Sequence, residues 1–149
     1  MNEDLYQLLD REQLSLASKQ KRALAYIVDE LILSVIWLSI VWDSFVGVES
    51  IEDKVLLINS YVLEFMLLKV IYHTFFVMQY AASPGKILMK IRILEVATLS
   101  SPSFFTSLNR ASFRILSEAM FYMGFLWGLL DPSRQTWHDK TAKTVVVDV

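Results

Sequence analysis

The sequence predicts a mainly α-helical membrane fold: a two-span helical hairpin, a short apolar third helix and a small two-stranded cytoplasmic β-element. Three observations predict it. Apolar residues make up 54% of the 149 and charged ones 20%, against about 45–50% and about 25% in ordinary globular domains. Two long stretches, 23–42 and 55–80, are nearly free of charge. All Lys and Arg except Lys54 and Lys69 lie outside the region from 43 to 80. The same composition excludes other classes. Aromatics at 13% are foreign to a disordered chain. Without cysteine there is no disulfide scaffold, thiolate zinc site or cysteine nucleophile. A net charge of −2 lacks the positive excess of a nucleic-acid binder, so no nucleic-acid partner is expected.

Residues 1–18, MNEDLYQLLDREQLSLAS, form a polar N-terminal segment of mixed sign. It lacks the basic start and apolar run of a signal peptide, so the mature chain is expected to begin at or near Met1. The first span, ALAYIVDELILSVIWLSIVW over 23–42, carries only Asp29 and Glu30. At about 1.5 Å per residue it matches a hydrocarbon core of about 30 Å. An acidic connector, DSFVGVESIEDK, leads to the second span, 55–80, whose ionisable members are Glu64, Lys69 and His73. A soluble helix keeps one polar face for water. From Leu31 to Trp42 only Ser34 and Ser39 are polar, and too little chain remains to bury two such helices. The basic flanks then place both termini in the cytoplasm and the acidic connector outside.

SPGK, Ser83 to Lys86, is a turn signal. ILMKIRILEV over 87–96 alternates, with Met89, Ile91 and Ile93 on one face and Lys90 and Arg92 on the wet one. A second strand over 143–148 is expected to pair with it. Two strands alone are marginal, so they must lean on the membrane surface or on the helices. Ser101-Pro102-Ser103 opens a helix over 103–118. Phe105, Leu108, Ser112, Ile115 and Ala119 form its apolar stripe, opposed by Arg110, Arg114 and Glu118. That pattern fits a helix lying in the headgroup layer or an ordinary packed helix. The apolar stretch 119–130 is too short to span. It reads as a re-entrant or bundle-buried segment, or as part of a third span if its helix begins earlier.

Ionisable residues within spans are functional candidates. Counted from the cytoplasmic ends, Asp29 lies level with His73, and Lys69 shares a face with His73 one turn deeper. Asp29 is therefore expected to meet His73 or Lys69, forming either a proton- or cation-handling cluster or a static bridge that fixes register. Glu64 falls on the opposite face, at a subunit contact or near the outer headgroups. Charges in lipid need protein around them, which favours a homo-oligomer. Enzymatic signatures are missing. His73 and His138 have no ligand spacing, SPGK is not a phosphate loop, and no G-x-S-x-G elbow occurs. His138-Asp139 suggests a general base or, more simply, a pair orienting the tail. No catalytic residue, metal or cofactor is expected.

KRALAYIVDELI at the first helix, the hairpin return, SPGKILMKIRILEV, and GFLWGLLDPSRQTWHDKTAKTVVV together resemble the RDD family of small bacterial integral membrane proteins, named for one arginine and two aspartates. The resemblance runs from about Lys21 to Val147 and implies an RDD-type domain over 19–149. It implies Arg22 as the family arginine, Asp29 as the first aspartate, and Asp139 as the second, with Asp131 as rival. It further implies a protein of the bacterial cytoplasmic (inner) membrane, partnered by the lipid bilayer. Transport of a small solute or ion is suggested, with a non-transporting membrane scaffold or assembly component as the alternative.

Overall fold

The computed structural model describes residues 2–149, with side chains from Leu5 onward, so the expected start at Met1 lies outside the described residues. The N-terminal segment is more than a polar leader. Helix α1 (Asn2–Arg11) buries Leu5 and Leu9, one turn apart, against the sheet. Residues 15–17 then run beside the C-terminal strand. The Ala17 amide donates to the Val146 carbonyl at 3.0 Å, and the Asp148 amide donates to the Ser15 carbonyl at 2.9 Å.

Ser18 caps α2 (Lys19–Val46), its hydroxyl accepting from the Lys21 amide. With 28 residues, α2 overruns the expected 23–42 at both ends. The connector is not an open loop. Ser50 caps α3 (Ile51–Ser60), where Glu52 and Asp53 occupy the first turn and complement its dipole. A break at Tyr61 separates α3 from α4 (Val62–Tyr80). The expected span 55–80 is thus divided, and 55–60 belongs to α3. Both α2 and α4 are long and apolar enough to cross a membrane.

The chain leaves α4 through Ala81 in the left-handed region, φ 54°. The strand expected from Ile87 starts later, because Pro84 at the first helical position sets up α5 (Pro84–Leu88). Lys90, φ 55°, then turns the backbone into β1 (Ile91–Glu95). Ser103 caps α6 (Phe104–Ala119). After two left-handed residues, Phe121 and Tyr122, comes α7 (Met123–Leu130). Helix α8 (Trp137–Thr141) and β2 (Thr144–Asp148) complete the chain. The strands pair antiparallel, with Ile93 opposite Val146.

The sheet is packed on both sides. Ile91, Ile93 and Val146 pack with Ala17, Ala25 of α2 and Val77 of α4, while Leu94, Val145 and Val147 pack beneath α1. The face read as wet is wet at Arg92, which is exposed, but not at Leu94. The strands therefore lean on helices from both faces, which removes the marginality of a lone pair.

The two long helices do not form a simple hairpin. α4 packs chiefly on α6, and α2 chiefly on α5. Away from the sheet α2 reaches α4 through Trp37, whose ring lies 5.9 Å from Tyr61 and 5.4 Å from Phe65. α6 and α7 meet at 103° and together count as a third candidate crossing or a re-entrant loop. Their contacts favour the loop. Tyr122 lies against Tyr26, whereas Leu129 accepts from Lys19 at the start of α2, so α7 runs back toward the end from which α6 set out.

α6 also turns the opposite way from the expectation of a headgroup-layer helix. Arg110, Arg114, Ser107 and Ser117 are buried, while Phe104, Phe105 and Leu116 are exposed. α4 behaves alike, burying Lys69, Tyr72, His73 and Thr74 and exposing Leu63, Leu67, Ile71 and Phe75. Polar side chains turn inward because their partners are there. The exposed faces have no polar work to do.

One close approach fixes α5 on α2. A Cβ on Gly85 would lie 2.1 Å from the Ala25 carbonyl oxygen, a backbone atom that cannot swing aside. Gly85→Ala should therefore destabilise by about 1–3 kcal/mol, the usual cost of overpacking, read as a lowered unfolding midpoint in detergent. Gly47→Ala is its control. Gly47 has φ −72° and its added Cβ would find only the Asp43 carbonyl at 3.7 Å, so it should be neutral or stabilising by about 0.4–1 kcal/mol.

Candidate functional site

Three buried polar clusters hold the helices together near the sheet. The first is centred on Asp139, which is fully buried. α8 begins with a capping box in which Thr136 and Asp139 satisfy each other's backbone, the Thr136 amide and hydroxyl donating to the carboxylate at 3.0 and 2.9 Å. Arg22 from α2 pairs with the same carboxylate, and Arg110 from α6 lies 2.6 Å from it. Arg22 also donates to the Arg134 carbonyl and Arg110 to the Thr144 hydroxyl. Burial alone would raise the Asp139 carboxyl, yet the Arg22 and Arg110 guanidiniums hold it well below the usual carboxylate range.

The second cluster surrounds Asp29. Its carboxylate accepts from the Ser83 hydroxyl at 2.5 Å, the Gly85 amide at 2.8 Å and the Tyr72 hydroxyl at 3.2 Å. Each donor is neutral. SPGK is thus more than a turn: Ser83 and Gly85 both spend their donors on Asp29, and Pro84 has none to offer.

The third cluster joins three helices. Lys69 of α4 lies 2.7 Å from Glu30 of α2 and 2.7 Å from Glu118 of α6. Arg114 of α6 meets the same two carboxylates at 3.2 and 3.3 Å. Two cations and two anions close a neutral ring, with the Arg114 guanidinium 4.8 Å from the Tyr26 ring centre.

The expected pairing of Asp29 with Lys69 or His73 is not made. Lys69 is taken by Glu30 and by Glu118, which α6 brings against α4. His73 is buried, with no hydrogen-bond partner at Nε2 among the described residues. It borders a cavity of about 20 Å³ shared with Lys86, Arg110, Arg114 and His138. Of the two candidate second aspartates, Asp139 meets Arg22, while Asp131 accepts from the Gln135 amide at 3.0 Å and pairs with Lys140 at 2.5 Å. Glu64 is exposed on α4. Glu30 and Glu118 were missed as partners, although the i, i+4 spacing on α6 already set Glu118 beside Arg114; nothing local signalled Glu30.

Two further groups are shifted by enclosure. Burial pushes the His138 imidazole well below its ordinary value, against the pull of Asp139; its Nε2 lies 2.9 Å from the Thr136 hydroxyl. Burial likewise pushes the Lys86 ammonium down to about 7, with Arg114 adding to the effect and Asp29 opposing it. Lys86 is half-buried, its enclosed end facing a cavity of about 330 Å³ between the first turns of α2 and α7.

Charges inside and apolar side chains outside describe a small helical protein adapted to apolar surroundings. The chain belongs to the RDD family, which matches residues 16–143. No curated protein and no solved structure matches it. Family and apolar helices together are consistent with a membrane protein.

Removing one member of a buried ion pair strands the other at about 3–5 kcal/mol, whereas removing both is often nearly neutral. Lys69→Leu should thus lower folded yield and unfolding midpoint, and Lys69→Leu with Glu118→Leu should recover most of the loss by leaving Glu30 with Arg114. Asp29→Leu with Lys69→Leu should show no such recovery, because the two share no bond. A rescue there would restore the pairing read from the sequence.

The pH dependence follows from His138. Its folded pKa lies below the unfolded value, so its stabilising share is complete above about 6.5 and is lost as pH falls below it. Lys86, at about 7 against an ordinary 10.5, acts above that window. Asp139 acts below it, since its carboxyl is held below the ordinary 3.8. Denaturant unfolding between pH 6.5 and 5 should show falling stability, with a shallower slope in His138→Gln. Equal slopes in the two proteins would remove His138 from the account.

Proposed function

We propose that this chain is a multi-pass integral protein of the bacterial cytoplasmic membrane, with both termini in the cytoplasm, that acts in moving a small solute or ion. One observation carries the reading. α4 and α6 bury Lys69, Arg110 and Arg114 while exposing Leu67, Ile71, Phe75, Phe105 and Leu116, a polarity that suits lipid and is wrong for water. Ionisable groups held at that depth are the kind that line solute paths and proton relays. A homo-oligomer supplies the further wall that α2 and α4 lack, since Val35, Leu38, Ile40 and Trp42 are all exposed.

A second reading, a non-transporting scaffold or assembly component, is favoured by the closure of the ionic network. Glu30, Glu118 and Asp139 each already have a cation, as a purely structural lattice requires. Purified protein in liposomes separates the two. Solute movement predicts flux of at least one ion or metabolite above the protein-free background, and no flux across a broad panel favours the scaffold.

Orientation is tested independently. Ser50 and Ser103 are both exposed and the chain has no cysteine. In cells whose outer barrier is permeabilised, an impermeant thiol reagent should label Ser50→Cys and spare Ser103→Cys. Labelling of Ser103→Cys under those conditions would reverse the orientation.

A further inference from the structure

The larger cavity has an unusual lining. Five cationic side chains face it, Lys19, Arg22, Lys86, Arg114 and Arg134, and among the described residues no carboxylate does. Arg22 is balanced by Asp139, and Arg114 by Glu30 and Glu118. The other three meet only uncharged atoms among the described residues. Lys19 donates to the Leu129 carbonyl at 2.7 Å. Arg134 donates to the Leu16 and Ala17 carbonyls at 3.2 and 3.1 Å. Lys86 lies 3.4 Å from the Ser83 hydroxyl. Like charges gathered in a cleft with low-dielectric walls focus a positive potential into it.

We propose that this cavity binds a phosphate-class anion bearing an apolar group. Guanidinium forks and ammonium point charges are the usual partners of phosphate oxygens, and an anion supplies a direct charged partner for Lys86, which reaches Asp29 only through the Ser83 hydroxyl. The volume of about 330 Å³ falls within the range of about 300–1,000 Å³ typical of small-molecule sites. The remaining wall is built from the rings of Tyr26, Tyr122 and Phe125 and from Leu126 and Leu129. Ile27, Leu126 and Leu129 are exposed, so an apolar substituent on the anion runs out over an apolar surface. Two sources share this chemistry. One is the headgroup of an anionic phospholipid, for which the inference rests on the membrane reading; the other is a soluble organophosphate, for which it does not.

Equilibrium binding to the full chain in detergent tests the site, with dioctanoyl phosphatidylglycerol, glycerol 3-phosphate and phosphate-free dioctanoylglycerol as probes. The phosphatidylglycerol should bind and dioctanoylglycerol should not. Lys86→Gln should weaken binding about tenfold or more and Lys19→Gln about threefold. Arg92→Gln, exposed on β1, should leave it unchanged. Should Lys86→Gln fail to fold, Lys19→Gln carries the test, because its side chain is exposed. Glycerol 3-phosphate binding as tightly as the lipid overturns the role given to the apolar group and assigns the site to a soluble organophosphate, and weaker binding assigns it to the bilayer. Equal binding of dioctanoylglycerol, no loss in either lysine variant, or the same loss in Arg92→Gln overturns the proposal. Since no flux is read, its failure is distinct from that of solute movement: binding without flux sinks only the transport reading, and flux without binding sinks only this site.

Discussion

The carboxylate of Asp139 is the constraint on which the rest of the structure depends. It takes Arg22 from the first turn of α2 and Arg110 from α6 while capping its own helix through Thr136. Removed from water, a lone carboxylate would cost several kcal/mol, and so would each guanidinium. Only the assembled group is tolerable. The start of α2, the second turn of α6 and the loop before β2 must therefore arrive together. Once they do, β2 is positioned for β1, and residues 15–17 just before α2 fall beside it.

The other two clusters build outward from that anchor at rising distance from the sheet. Asp29 sits two turns above Arg22 and fastens α5, whose Gly85 is pressed against the Ala25 backbone. Glu30 follows directly and faces the next partners, Lys69 and Arg114. Neighbouring acids on one helix thus serve different partners, Asp29 the neutral donors of Tyr72, Ser83 and Gly85 and Glu30 the cations of α4 and α6. This division keeps both carboxylates inside without making them compete for a single cation.

Much of this was legible in the sequence, for physical reasons that differ by element. The two apolar helices and the β1–β2 pair follow from composition and alternation, which are local. The inward turn of α6 was not legible. Its stripe of Arg110, Arg114 and Glu118 has the same periodicity whether it faces water or buried partners, and only Glu30, Lys69 and Asp139 from distant segments decide which. The partner of Asp29 was misread for a related reason. Matching depths across a hairpin finds the right pair of helices but not the partner, because Asp29 meets Tyr72 of α4 and the donors of Ser83 and Gly85, while Lys69 is drawn to Glu30 and to Glu118 of α6. The breaks at Tyr61 and at Phe121–Tyr122 carry no Pro or Gly, so nothing in the local sequence announced them.

The same clusters make the molecule uneven along its length. Near the sheet, α2 is held by Arg22, Asp29 and Glu30 to α8, α5, α4 and α6. Beyond Glu30, among the described residues, no ion pair joins α2 to α4, and the Trp37 contacts with Tyr61 and Phe65 take over. An aromatic pair has several geometries of similar energy, worth about 0.5–1.5 kcal/mol beyond burial, and so tolerates sliding, whereas separating a desolvated ion pair costs about 3–5 kcal/mol. Relative displacement of the two long helices is therefore cheapest at the end remote from the sheet and dearest at the cationic cavity. A ligand seated in that cavity would meet fixed charges on a rigid floor, with α7 as a second wall that is itself pressed against α6 and α8, Gly124 lying on Ser117 and Gly128 on Thr136.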